Sequence, residues 1–461
     1  MYDRVCGCII FLSLIVFVFL DGLYIDEYTP FYGLICYVWA VLLYRFWERK
    51  ENTLAYEWGT FEVASDGENI AEDFSGGYHH SPRRRPEFKG ILRPSPVTGA
   101  PELYYPGYKR KFKYLVSAVV TAIMLSIAFY TMILSLNLQG YIRRRVSTNP
   151  FYFPQFTNLS EPGAIMDAQS SWRSFIPVVI HALSIMTLNT IYRGIARRLT
   201  VWENHETQTA FENSLVLKRF LFEAFDCYIV LLYLAFYARD MERLRAELIA
   251  VFNIDSFRRL FTECILPMIF HYFDPVADNE HPQDLHLDEY ESFDDYMEIL
   301  IQFGYVTLFA SAYPLASLLA CAALWLEIRS DCYKLTYLCQ KPAGERVSNI
   351  GMWKALLGFM VWFSCLTNCL LFGLTSNQMM HYMPAFYIHD GEGVTHMVQD
   401  KGWLVILVIF GLERVLIYFG LALHAAIPSL PEELVVRLRR RNYFRFQQQQ
   451  RLLQRRKSKK E

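Results

Sequence analysis

Five carboxylates, Glu263, Asp295, Glu298, Glu327 and Asp331, lie within or at the ends of long apolar stretches. An acidic side chain inside a membrane span costs roughly 2.5–3.5 kcal/mol on insertion scales. The spacing is orderly. Asp295 and Glu298 are three residues apart, and Glu327 and Asp331 are four apart, so each pair shares one face of a helix. Five such groups close together in a low dielectric would repel one another or take up protons. A hard divalent cation removes that conflict, and calcium takes about six to eight oxygen ligands with a preference for carboxylates. No His or Cys belongs to the set, which argues against zinc and copper. A plainer reading is that these are helix-end charges. Asp295 and Glu298 suit a helix N-terminus, and Asp331 could pair with Arg329 or Lys334. Spacing alone leaves both readings open.

The elements that carry these residues are apolar helices. The chain has 461 residues, of which 53% are hydrophobic and 16% aromatic. Charges are absent from the blocks 9–20, 31–44, 114–139, 175–192, 299–326, 355–388 and 403–412. Several of these reach the roughly 18–20 residues that cross a bilayer core. The predicted spans are 6–24, 30–47, 114–138, 175–196, 215–238, 243–272, 296–316, 318–339, 350–376 and 402–428. Pro314 divides the long run 296–339, because a helix bends or breaks there. The fold class expected is therefore all-α, a polytopic membrane protein with about ten transmembrane helices. The 9–20 block is followed by Asp-Gly-Leu-Tyr and not by an Ala-x-Ala site, so it reads as a retained span and not as a signal peptide.

Basic residues orient the spans. Segments 48–113, 197–219, 329–354 and the tail from Arg437 are rich in Lys and Arg. The positive-inside rule puts all four, and both termini, in the cytosol; Arg143–Arg145 is a local exception. Domains are read as a transmembrane unit over 1–431, with the irregular cytosolic loop 48–113 inside it, and a basic tail over 432–461. The net charge of −1 points to no nucleic-acid partner. The cysteines lie mostly in or beside apolar runs and form no zinc pattern or disulfide framework. No Walker motif suggests a pump, and no enzyme activity is expected.

Motifs then add what spacing does not. Tyr296-Met-Glu-Ile-Leu-Ile-Gln-Phe-Gly-Tyr-Val-Thr-Leu-Phe309, Tyr313-Pro-Leu-Ala316 and Glu327-Ile-Arg-Ser-Asp331 resemble the seventh and eighth spans of anoctamins. Leu199-Thr-Val-Trp-Glu-Asn-His-Glu-Thr-Gln-Thr209 resembles that family's loop between spans four and five. Phe46-Trp-Glu-Arg-Lys50, Leu54-Ala-Tyr-Glu-Trp-Gly59 and Ile427-Pro-Ser-Leu-Pro431 resemble the ends of spans two and ten. The region 240–272 is most similar to the anoctamin-10-like branch. The resemblance implies a calcium (Ca2+) site built by Glu263, Asp295, Glu298, Glu327 and Asp331. Two positions that are Asn in the family's chloride channels are here Arg259 and Ala323, and Arg259 could act as an internal counter-ion. The family's glycine hinge in span six is missing, and its cytosolic N-terminal domain is expected to be absent.

The resemblance also implies a transport groove between spans three to seven. Span four carries His181, Ser184, Thr187, Asn189 and Thr190 in an apolar context. This polar stripe could line a headgroup path, with His181, Ser184, Thr187 and Thr190 as its members. Hydrogen bonding between helices is the competing reading. Glu413-Arg414 in span ten suits a local pair or a homodimer contact. The expected function is a calcium-activated phospholipid scramblase with accompanying ion conduction. The rivals are a calcium-activated chloride channel without scrambling and a non-conducting membrane tether. Partners would be membrane phospholipids, chloride or other small ions, and a second copy. The host membrane would be the plasma membrane or the endoplasmic reticulum.

Overall fold

Long apolar runs ended by Pro, Gly or polar turns yield helices, and helices dominate here. The computed structural model describes residues 29–61, 85–94, 99, 101–142, 151–160, 163–164, 166, 175–259, 261, 265–266, 269, 290–340, 344, 347, 349–375, 379, 383–384, 387–389, 395–397 and 402–457. The expected first span, 6–24, lies outside them. The chain divides into two compact units, one made of 1–70 with 239–461 and the other of 71–238.

The 71–238 unit holds a hairpin, β1 (Ile91–Pro94) and β2 (Pro101–Tyr104), and, among the described residues, three long helices, α1 (Gly107–Leu138), α2 (Phe175–Glu203) and α3 (Gln208–Leu232), with a short helical turn at Pro154–Ser160 between α1 and α2. A π-helical turn over Tyr233–Ala238 prolongs α3. The three helices pack on one another. Their core joins Met124 and Ala128 of α1, Tyr192 and Ala196 of α2 and Phe222 of α3. Tyr192 stacks on Phe222 with ring centroids 4.2 Å apart, and its hydroxyl lies 3.0 Å from Thr121 Oγ1. Small residues at such contacts allow close approach, and the paired hydroxyls stay satisfied away from water. Asn204, in the left-handed region at φ 59°, ends α2. Its side chain donates to Lys89 O and accepts from Lys89 N, pinning the segment before β1.

The other unit contains α4 (Thr29–Glu57), α5 (Met241–Arg259), α6 (Ser292–Leu308), α7 (Ala316–Tyr333), α8 (Met352–Leu370), α9 (Gly402–Ala426) and α10 (Glu432–Lys457). A small hairpin pairs Tyr387–His389 with Thr395–Met397. Helix α6 is its centre: Leu300 to Ala312 are all buried. It packs against α4, α5, α7 and α8. Asp294 and Asp295 in its first turn favour the helix N-terminus. The chain breaks over 309–315, around Pro314, as the sequence predicts. Asn368 of α8 donates to Thr307 O at 2.7 Å, satisfying a polar group inside the bundle. Gly420 of α9 lies so close to Tyr37 that a Cβ there would meet the phenol oxygen.

Among the described residues, four helices are long and apolar enough to cross a membrane: Gly107–Leu138, Gln208–Ala238, Met352–Thr375 and Gly402–Ala426. The fold is mostly helical. Within the 48–113 segment, some of the described residues are regular. Its start continues α4 to Glu57, and it includes the β1–β2 hairpin and the first turns of α1. Charged helix ends extend beyond the apolar runs, so hydropathy alone truncates them.

Candidate cation site and polar stripe

Helices α6 and α7 position four of the five sequence-predicted carboxylates. Asp295 Oδ1 accepts from Lys334 Nζ at 3.0 Å, and its Oδ2 accepts from the Tyr290 hydroxyl at 2.6 Å. Lys334 follows α7 directly, so this pair ties the start of α6 to the end of α7. Glu298, one turn further along α6, has Oε1 3.7 Å from Arg258 Nη2 of α5. That distance is an ion pair beyond hydrogen-bond range. Glu327 and Asp331 lie half-buried on α7. The Tyr290 phenol is pushed well above its ordinary value by burial, by its bond to Asp295 and by the charges of Asp295 and Asp331. Carboxylates from two helices therefore share one electrostatic environment.

Gln302 was not singled out by the sequence. It stands one turn beyond Glu298 on the same helical face and is 2% exposed. Neither its amide oxygen nor its amide nitrogen has a hydrogen-bond partner. Glu263 and the side chain of Arg259 lie outside the described residues. Among the described residues, no three of His, Cys, Asp and Glu converge closely enough to hold a metal ion. The donor chemistry still fits a hard cation. Asp295 and Glu298 already face positive charge, and Gln302 leaves an amide oxygen unsatisfied on their side of α6.

The polar stripe of α2 is built differently. Ser184, Thr187 and Thr190 each donate to the carbonyl four residues earlier, at 2.8, 2.8 and 2.9 Å. Thr187 and Thr190 are exposed, and Ser184 is half-buried. Their O–H donors are satisfied within their own helix, so none of the three donates to another helix. His181 is half-buried, with no hydrogen-bond partner at Nδ1, and Asn189 Oδ1 is likewise unpartnered.

A third charged cluster went unread in the sequence. Glu203, whose side chain is 1% exposed, accepts from Lys218 Nζ at 2.8 Å, His205 Nε2 at 2.9 Å and Ser214 Oγ at 2.9 Å. Burial raises its pKa, but the bonds from His205 and Lys218 outweigh burial and hold it down at about 2. Its Trp-Glu-Asn-His-Glu setting looks like a solvated loop. Only the turn into α3 brings Lys218 back to it. In α9, Glu413 is buried and pairs locally with Arg414 at 3.2 Å.

Comparison with known proteins follows these motifs. The family model described as "Anoctamin: Calcium-activated chloride channel" matches residues 2–441. Human Anoctamin-10 is 28% identical over 424 residues, covering 87% of this chain and 57% of that protein. Human Anoctamin-7 is 26% identical over 502 residues, covering 90% and 50%. Mouse Anoctamin-3 is 25% identical over 416 residues, covering 82% and 40%. The chain thus spans about half the length of the curated relatives it matches. With its apolar helices and a match over nearly its full length, the chain belongs to the anoctamin family of membrane channels and scramblases.

Proposed function

We propose that this chain forms a calcium-activated phospholipid scramblase that also passes ions. The observation that carries the lipid reading is the α2 stripe. Its hydroxyls need no protein partner, and Thr187 and Thr190 face outward. A polar track presented on the outside of a membrane helix suits a phospholipid headgroup better than it suits an enclosed anion pore. In the full reading there are about ten spans over 1–431, with α2 as the fourth, and a basic tail over 432–461. The tail, both termini and the 48–113 loop face the cytosol. A second copy docks near Glu413-Arg414, and the host is the plasma membrane or the endoplasmic reticulum.

Asp295, Glu298, Glu327 and Asp331, with Glu263, are the residues proposed to hold calcium. When bound, calcium would supply the positive charge that these carboxylates require. Within the chain, Lys334 and Arg258 supply part of that charge and keep α5, α6 and α7 in register. A ligand that binds one arrangement of these helices better than another shifts their balance.

The test is loss of fluorescence from dye-labelled lipid in proteoliposomes on adding dithionite. Calcium should accelerate the loss relative to chelator, and Glu298→Gln/Glu327→Gln should abolish that acceleration. Equal rates with calcium and chelator would refute calcium gating. Anion current without lipid movement would refute scrambling.

A further inference from the structure

The β1–β2 hairpin carries an apolar face that is exposed. Strands alternate their side chains between two faces. The register pairs Leu92 with Leu103 and Pro94 with Pro101, so these four residues share one face. All four are exposed, with Leu92 at 70%. An isolated two-stranded hairpin is marginal in water, and a contiguous exposed apolar face marks an interaction site.

Three observations identify what covers it. First, the hairpin runs almost directly into α1, which begins at Gly107 and is apolar and long enough to cross a membrane. Tyr108, Phe112, Leu115, Val119 and Ile123 recur at helical spacing along α1, and all are more than half exposed. An exposed apolar hairpin face is thus followed directly in the chain by an exposed apolar stripe on a helix long and apolar enough to cross a membrane. Second, Lys109 and Lys111 are exposed at the start of α1, directly after the hairpin, and bring positive charge to that end of the helix. Third, Lys113 donates to Trp202 O at 2.6 Å and sits 5.0 Å from the Tyr105 ring and 5.3 Å from the Trp202 ring. Tyr and Trp beside Lys are characteristic of the boundary between acyl chains and headgroups.

We infer that the β1–β2 hairpin is an interfacial anchor. Its Leu92–Leu103 face lies in the headgroup boundary of the bilayer that α1 crosses, and Lys109 and Lys111 bind anionic lipid phosphates. Apolar burial supplies depth, and the cations supply preference for anionic lipid. The inference depends on membrane insertion of α1 and not on calcium or lipid movement.

The experiment places an environment-sensitive fluorescent amino acid at Leu92 in the full chain, reconstituted in vesicles of phosphatidylcholine with phosphatidylserine. The same label at Ile123 marks the in-bilayer limit and reports correct insertion. Free fluorophore marks the aqueous limit. The label at Leu92 should be quenched by lipid brominated near the glycerol and should be several-fold less sensitive to iodide than the free fluorophore. Removing phosphatidylserine, or introducing Lys109→Glu/Lys111→Glu, should raise iodide quenching at Leu92 severalfold and leave Ile123 unchanged. Iodide quenching at Leu92 equal to that of free fluorophore would overturn the inference. So would shielding from both iodide and brominated lipid, because another protein surface would then be the cover.

Discussion

Glu203 and Asp295 are both carboxylates that accept from a lysine, yet their surroundings differ. Glu203 is sealed, with a side chain 1% exposed and donors from Lys218, His205 and Ser214. Asp295 is 13% exposed and is held by one lysine that is itself 25% exposed and by one phenol. Neighbouring Glu298 has the Arg258 guanidinium at 3.7 Å, beyond hydrogen-bond range. A carboxylate that serves structure is saturated and closed to water. One that must exchange partners keeps replaceable cations and a route to solvent. Burial and saturation thus separate two carboxylate settings that residue type alone does not, and the proposed calcium site uses the open one.

The largest expected effect falls on the sealed cluster. Glu203→Gln leaves the Lys218 ammonium buried without its counter-charge, and loss of one partner from a buried pair costs about 3 kcal/mol. Thermal unfolding of purified protein in detergent should register that loss with or without calcium. The pH dependence sharpens it. The Glu203 pKa lies at about 2 when folded, against an ordinary value of 4.5. Its contribution is therefore complete above pH 4.5 and is lost as pH falls through about 2. The stability gap between wild type and Glu203→Gln should narrow over that window. A gap that is constant down to pH 2 would show that Glu203 is not ionised in the fold.

How much of this was legible follows from which interactions are local. The carboxylate spacing, the break at Pro314 and the boundaries of the helices around 350–376 and 402–428 were readable from the apolar pattern. The early start of α1 was not, because Gly107–Lys113 is charged and looks like loop. The β1–β2 strands are short, proline-flanked and exposed on both faces, so no alternation betrays them. Lys334 was a candidate partner for Asp331 by spacing. The fold gives it to Asp295 on the preceding helix, a tertiary choice that sequence distance hides. The stripe was visible as polar residues at helical spacing, but only the backbone bonds of Ser184, Thr187 and Thr190 show that it is self-satisfied.

Lys334→Gln tests the open side of the comparison. It removes the cation from Asp295 without removing any of the proposed calcium ligands. If Lys334 competes for the same oxygen, calcium-dependent thermal stabilisation should reach its midpoint at about tenfold lower calcium, the worth of one charge-assisted hydrogen bond. Stability in chelator should fall only modestly, since the pair is partly solvated. A loss as large as that of Glu203→Gln would make Asp295–Lys334 structural as well, and the contrast between the two sites would collapse.

The smallest effect belongs to Arg258→Gln. The 3.7 Å separation excludes a hydrogen bond, and the Arg258 side chain is 50% exposed, so water screens most of its attraction to Glu298. Its contribution is long-range charge. Unfolding stability should change by less than about 0.5 kcal/mol. The calcium midpoint should fall about twofold at low ionic strength, and the shift should vanish near 1 M salt, where screening acts within about 3 Å. A salt-independent shift would mean that Arg258 approaches Glu298 more closely in solution than 3.7 Å and occupies the carboxylate as Lys334 occupies Asp295. The two cations would then be equivalent guards of one site, and the gradient from sealed through held to merely screened carboxylates would reduce to two classes.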